Sequence, residues 1–325
     1  MKILMISFDR KIFEKESAVR ARMIAYAKEY EIMHIVVFTN KGFKEAKLAE
    51  NCTAHPTNSL TRFLYVFDAI KIGKDILSGN KLEKGNWRLT TQDPCETGLV
   101  GLQLKNKFNI PLHVQLHTDV FSPYFAKLSI LNHIRVMIAR RVLRHADSIR
   151  VVSNRIKESI APNIKLKLHM PIEVRPIEVN TEKIKNAPIV VDLHHKYSQF
   201  KKIILMVGRL EKEKNYQMAL EAFAMVRAKL PSIGLIIVGE GRTKLNAGAN
   251  VIIEAWSDHI YSYMKTADIL LHTSWYEGYG MVLKEAEACG LPIVSTDVGI
   301  AREVGAHIVK HNSESIAQGI IEKLQ

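Results

Sequence analysis

A chain of 325 residues, 47% apolar and 24% charged, has globular composition and length enough for two domains of ordinary size. Its three cysteines, Cys52, Cys95 and Cys289, lie far apart without metal-ligand spacing, which suits a reducing cytoplasm and argues against a disulfide framework. The net charge of +13 is uneven: residues 1–180 hold 29 Lys/Arg against 17 Asp/Glu (+12), and residues 181–325 hold 17 against 16 (+1).

In chain order, MKILMISF is too short for a signal-peptide core, and Lys2–Phe8 reads as a buried strand. Ser17–Tyr30 reads as a helix with Val19, Met23, Tyr26 and Ala27 on one face, and Ile32–Thr39 as a second strand. Strand, helix, strand is the βαβ unit of parallel sheets. The turn between them, Asp9–Glu16, has no glycine, so a dinucleotide fingerprint is absent. Leu60–Leu77 is expected to be a helix with Phe63, Leu64, Phe67 and Ile70 turned into the core, and Lys71 and Lys74 beside them. Trp87–Thr91 is a short strand. Gln92–Gly98 is a loop opening a helix.

Pro111–Leu116 is the next strand, ending in His117-Thr118-Asp119. Side chains past the carboxyl ends of parallel strands sit where ligands bind. His117 can there donate to a sugar hydroxyl or move a proton, or it can brace a neighbouring carbonyl. Ile130–His145 carries an apolar stripe (Ile130, Ile134, Met137, Ile138) among Arg135, Arg140, Arg141 and Arg144. Such a helix can lie on an anionic membrane, or cover the strand Ser148–Val152 that follows. Lys165–Pro188 loses regular period and reads as a crossover, placing a domain boundary near residue 180.

The second half repeats strand–helix units: strands at Lys202–Val207, Ile233–Val238, Val251–Ala255 and Ile269–His272, helices at Tyr216–Leu230 and Ser257–Ala267. Gly208-Arg209 to Lys214-Asn215 forms a strand-to-helix turn. Arg209 and Lys214 converging there would neutralise a diphosphate; with Glu211 and Glu213 beside them they can also be a solvated charge cluster. Gly239-Glu240-Gly241 is another tight backbone turn. The stretch Thr273–Thr296 then places Glu277, Gly278 and Gly280 just before a helix, Met281–Cys289, closed by Gly290 and Pro292. Glycines let a ligand approach the backbone, and the first-turn N–H groups of a helix attract anions. The stretch is either a site for a phosphate-bearing, hydroxyl-rich ligand or a well-capped strand–loop–helix unit.

GRLEKEKN, VGEG and EGYGMVLKEAEACGLPIVSTDVGIAREV together resemble the donor half of glycosyltransferase family 4, the group 1 glycosyl transferases, which are retaining GT-B enzymes. SAVRAR, QDPCETGLVG and HTD resemble the N-terminal half more loosely. The resemblance implies two Rossmann-like, doubly wound α/β domains facing a cleft, an acceptor-side domain at 1–180 and a donor-binding domain at 181–325. It implies that Arg209 and Lys214 stabilise the leaving diphosphate and that Glu277 binds the transferred sugar beside developing positive charge. Glu285 would bond the ribose hydroxyls, and His117 would contact the sugar from the other domain. Gly208, Gly239, Gly241, Gly278, Gly280, Met281 and Val282 would line the donor, with amides at 280–282 facing sugar and phosphates. A UDP-, GDP- or ADP-sugar would be co-substrate, with no metal and no cofactor. Two departures stand out. Many relatives have a Gly-Gly turn where this chain has Phe13–Ser17, so part of the donor contact is expected to be lost or to be made by Ser17 and Arg20 instead. The sequence also ends at Gln325 after one helix, where relatives continue into a helix that packs on the N-domain; a looser hinge is expected.

The basic first half calls for an acidic partner, unless the host proteome is generally basic. An acidic or lipid-linked acceptor at an anionic membrane fits, with the protein cytoplasmic and peripheral on the inner face. A binding protein that keeps the fold without turnover is the alternative. A basic nucleic-acid-binding protein is a third reading, suggested by charge alone; basic–aromatic interleaving and recognition motifs are missing, so no nucleic-acid partner is expected.

Overall fold

Apolar runs between polar turns become the strands of two parallel sheets in the computed structural model, which describes residues 1–79, 86–165 and 170–325. The first sheet contains β1 (Lys2–Ser7), β2 (Ile32–Val37), β3 (Ala46–Ala49), β4 (Cys52–Pro56), β5 (Trp87–Thr91), β6 (Leu112–Leu116), β7 (Ser148–Val151) and β8 (Ile172–Val174). Their order is β3-β4-β2-β1-β5-β6-β7-β8, and only the β3–β4 pair is antiparallel. The second contains β9 (Lys202–Val207), β10 (Ile233–Val238), β11 (Val251–Glu254), β12 (Ile269–His272), β13 (Ile293–Thr296) and β14 (His307–Val309), in the order β11-β10-β9-β12-β13-β14. In each sheet the chain starts at a central strand, builds to one side and then jumps to the other. The ends of β9 and β12 flank the reversal, which is where open α/β sheets bind ligands.

Helices α1 (Ala18–Ala27), α2 (Tyr65–Gly79), α3 (Glu96–Phe108), α4 (Pro123–Lys127), α5 (Ile130–His145) and α6 (Asn154–Ile160) accompany the first half. The second half adds α7 (Thr181–Lys185), α8 (Leu193–Lys196), α9 (Tyr216–Lys229), α10 (Ile260–Thr266), α11 (Met281–Ala288) and α12 (Ser313–Leu324). Ser17 caps α1 by accepting from the Arg20 N–H at 3.1 Å. The Asp9–Glu16 turn contains a short 3-10 helix, Arg10–Phe13, capped by Asp9. Met23 and Ala27 pack on β1 and β2; Phe223 and Val226 pack with Ile316 and Ile320 on β9, β10 and β12.

By packing, one unit comprises Met1–Phe121, Ser129–Val152 and Ile156–Arg175; the other comprises Ser122–Leu128, Ser153–Arg155 and Pro176–Gln325. Composition suggests a single division near residue 180. Instead α4 and Ser153–Arg155 pack with the second unit. Tyr124 sets its ring 4.8 Å from Trp275 and 4.5 Å from His311, which stack with an interplanar angle of 6°. The irregular stretch from Lys165 holds β8 and α7; its residues 166–169 lie outside the described residues.

Helix α2 differs from expectation, and α5 leaves most of its apolar stripe exposed. In α2 the buried row is Tyr65, Ala69, Gly73 and Leu77, while Phe63 is 90% and Phe67 70% exposed. A Cβ on Gly73 would sit 2.6 Å from Leu104 of α3, so close helix packing selects the small-residue row. In α5 the buried residues are Asn132, Ala139, Val142 and Leu143, and Ile130, Ile134 and Met137 face solvent. In α2 Gly73 packs on α3, in α5 Val142 packs on Gly98 of α3, and in both helices a bulky apolar row points away.

Candidate active site

The turns after β9 and β10 touch. A Cβ on Gly239 would lie 2.0 Å from the Gly208 carbonyl oxygen, and Gly239 has φ +151°, so only glycine fits. Past Gly208, the Tyr216 hydroxyl donates to its carbonyl at 3.0 Å, and the chain turns through the 3-10 helix Lys212–Lys214 into α9.

The loop after β12 is laced to that turn. The Thr273 hydroxyl donates to the Lys214 carbonyl at 3.0 Å, and the Trp275 N–H to the Glu213 carbonyl at 2.8 Å. These bonds set Lys214 Nζ 2.5 Å from Glu277 Oε1, both side chains 15% exposed. The Ser274 hydroxyl donates to the same oxygen at 2.8 Å, and His272 Nε2 lies 3.2 Å away. Burial alone would raise the Glu277 pKa; the His272 contact and the Lys214 charge outweigh it and hold the carboxyl well below the usual range. Burial pushes the His272 pKa down against the pull of Glu277.

Gly280, with φ +84°, caps α11 and turns the chain into it. In the second turn of α11, Glu285 points into the same pocket but accepts no hydrogen bond among the described residues, and burial raises its pKa. Two carboxylates eight positions apart thus stand in opposite states: one balanced by the Lys214 ammonium, the other desolvated and open.

The pocket holds about 450 Å³ and is lined by Gly208, Arg209, Lys214, Gly239, Glu277, Gly280, Met281, Val282 and Glu285. Gly241 stands outside the lining, bridged to Leu210. Gly278 is buried, its carbonyl accepting from the Ser153 hydroxyl at 2.8 Å. Arg209 does not converge with Lys214: it is 75% exposed and turned to Glu213 at 3.2 Å. His117 belongs to the first unit, at the end of β6, 3.3 Å from Gln115 Oε1. Protein packed around it, then Arg150 and Arg22, depress its pKa, although the ring keeps an exposed edge. Ser17 and Arg20 likewise belong to the first unit.

Sequence reasoning missed His272, Ser274 and Trp256. His272 is a polar residue closing a buried apolar strand, which is a readable signal. Trp256, 55% exposed at the pocket wall, follows β11 with no pattern to single it out. Among the described residues, Asp93, Cys95 and Glu96 come within 4.8 Å of one another. Their groups are engaged: Asp93 accepts from Thr97 and the Cys95 N–H, and Glu96 pairs with Arg135.

Residues 194–325 match the family of glycosyl transferases group 1. The chain is 32% identical over 140 residues to N-acetylgalactosamine-N,N'-diacetylbacillosaminyl-diphospho-undecaprenol 4-alpha-N-acetylgalactosaminyltransferase of Campylobacter jejuni, an alignment covering 38% of each chain. It is 24% identical to an uncharacterized glycosyltransferase of Methanocaldococcus jannaschii over 89% of this chain and 79% of that one. Among solved structures it resembles sucrose-phosphate synthase from Thermosynechococcus elongatus (TM-score 0.71, 20% identity, 100% of this chain, 90% of that chain). It also resembles HepE of Anabaena in complex with UDP (TM-score 0.69, 20% identity, 100% and 91%). The two Rossmann-like parallel sheets are those of the GT-B fold. The family match is confined to residues 194–325, the part of the chain that carries the pocket.

Proposed function

We propose that this protein is a retaining, metal-independent glycosyltransferase of family 4 that moves a sugar from a nucleotide-sugar donor to an acidic or lipid-linked acceptor. The observation that carries the reading is the contrast between Glu277, locked to Lys214, and Glu285, which has no hydrogen-bond partner among the described residues, in the same pocket at the strand-order reversal. An open, partly desolvated carboxylate is a strong acceptor for a pair of ribose hydroxyls. A carboxylate already balanced by a lysine suits the place where positive charge develops on a sugar ring, and Lys214 beside it faces the diphosphate that leaves. Arg209 is the second cation: its exposed contact with Glu213 is worth under ~1 kcal/mol, so a diphosphate can recruit it. Amides at the start of α11 meet sugar or phosphate oxygens. Trp256 offers an exposed ring for the nucleobase. His117 is assigned to the sugar.

The acceptor side rests on the first unit, whose net charge and exposed rows on α2 and α5 suit an anionic membrane surface. Phe63, Phe67, Ile130 and Met137 supply apolar contact, and Lys71, Lys74, Arg140, Arg141 and Arg144 supply charge. Three free cysteines, two of them buried, suit a reducing cytoplasm, and a position at its membrane face is part of the proposal.

Calorimetry with UDP-, GDP- and ADP-glucose tests the donor. One of them binds, and Glu285→Ala weakens it by roughly tenfold or more; unchanged affinity refutes the ribose role. Transfer persists in chelator, and its loss there would overturn the metal-free mechanism. Vesicles containing phosphatidylserine retain the protein at low salt and release it as salt rises; equal retention on neutral vesicles would remove the electrostatic attachment.

A further inference from the structure

Parallel sheets are usually covered on both faces, and their strands read as continuous apolar runs. β5, β6 and β7 break that habit. One face is Leu89, Leu112, Val114, Leu116, Ile149 and Val151, all buried. The other carries Arg88, Thr90, His113, Gln115, Ser148 and Arg150, in a register that sets His113 opposite Thr90 and Ser148, and Gln115 opposite Arg150. The α1 core packs on β1 and β2 and leaves beside it, over this polar face, a pocket of about 300 Å³. Tyr26 and Tyr30, at the end of α1, and Arg175, past β8, form its rim.

Three guanidinium groups line the pocket without an ion-pair partner among the described residues. Arg88 Nη2 donates to Ser148 Oγ at 3.1 Å, and Arg150 Nη1 reaches Gln115 Oε1 only at 3.5 Å. Arg150 Nε is closed off from solvent with no acceptor. Glu29 and Glu173 also line the pocket, yet no carboxylate among the described residues forms a salt bridge with Arg88, Arg150 or Arg175. The polar groups between them are already ordered: Gln115 Nε2 donates to Thr90 Oγ1 at 3.1 Å, and Thr90 Oγ1 lies 2.9 Å from His113 Nδ1. A buried donor without an acceptor is unfavourable, and forked guanidiniums match phosphate oxygens in geometry as well as charge.

We propose that this pocket binds a small phosphate- or diphosphate-bearing ligand, held by Arg88, Arg150 and Arg175 with the hydroxyls of Ser148 and Tyr30. The site lies on the face of the sheet and toward the C-terminal end of α1, not at the strand ends where the donor pocket of the second unit is built. It is independent of the transferase reading. Arg150 gains the acceptor it lacks, and the ligand neutralises part of the charge concentrated in this half of the chain.

Calorimetric titration of the full chain with inorganic pyrophosphate is the test, because the donor pocket is also expected to take this anion. Two sites are expected. Arg150→Gln and, separately, the exposed-rim variant Arg175→Gln weaken one of them by about tenfold while nucleotide-sugar binding is unchanged. Lys214→Ala removes the other. A single site abolished by Lys214→Ala and untouched by both arginine variants, or no binding at all, overturns the proposal. If the donor reading alone is wrong, the arginine-dependent site remains and the lysine-dependent one is missing.

Discussion

At the scale of single residues, the donor pocket separates two carboxylates by what surrounds them. Glu277 is held ionised by contacts that outweigh its burial, whereas Glu285 has burial acting alone, which raises its pKa. A protonated Glu285 has lost one acceptor, so donor affinity should fall on acidification at a higher pH than an ordinary carboxylate with pKa ~4.3 would allow. Titration calorimetry at stepped pH measures this, and Glu285→Gln should bind weakly with a flat profile. Glu277 should stay charged throughout. Lys214→Ala leaves a buried, uncompensated carboxylate, and urea unfolding should show a loss of about 3–5 kcal/mol in the second unit. Adding Glu277→Ala should recover part of that loss, since it removes the orphaned charge.

At the scale of elements, packing distance decides what faces inward. Gly239→Ala would push a Cβ into the Gly208 carbonyl at 2.0 Å, so β9 and β10 must part at the pocket mouth. A stability loss of more than ~3 kcal/mol is expected in thermal unfolding, together with loss of donor binding. Phe63→Ser and Met137→Ser, by contrast, should leave stability within about 0.5 kcal/mol, because both side chains are exposed, while reducing vesicle binding. The strands of the second sheet were legible because Ile233–Val238 and Ile269–His272 are unbroken apolar runs bounded by glycine or polar turns. β3 and β4 were not, since AKLA and CTAHP carry no sustained alternation. For α2 and α5, helical spacing revealed a bulky apolar row but could not say which row would meet the sheet. Close contact with α3 selected the row of Gly73 in α2 and of Val142 in α5 instead. The glycine turns and both glutamates of the pocket were visible as local pattern. The Lys214–Glu277 pair joins residues 63 positions apart, and no local rule reports such a contact.

At the scale of the molecule, each unit has its own buried core, one around β1, β2 and α1 and the other around β9, β10, α9 and α12. Unfolding should therefore not be a single two-state event. Differential scanning calorimetry should resolve two transitions, and a bound nucleotide sugar should raise most the one belonging to the second unit, which lines the donor pocket. High salt should stabilise the first unit more than the second, since the first half carries +12 of the +13 net charge. The ring stack of Tyr124, Trp275 and His311 bears on how this protein can be taken apart. The polypeptide passes between the units five times, at 121/122, 128/129, 152/153, 155/156 and 175/176. A gene fragment beginning at Pro176 would encode every lining residue of the donor pocket and still lack Tyr124 and Ser153. Trp275, His311 and the Gly278 carbonyl would lose partners that the first half of the chain supplies, so such a fragment should express as a less stable domain than its boundary suggests. Supplying residues 122–128 as a separate peptide should restore part of that stability.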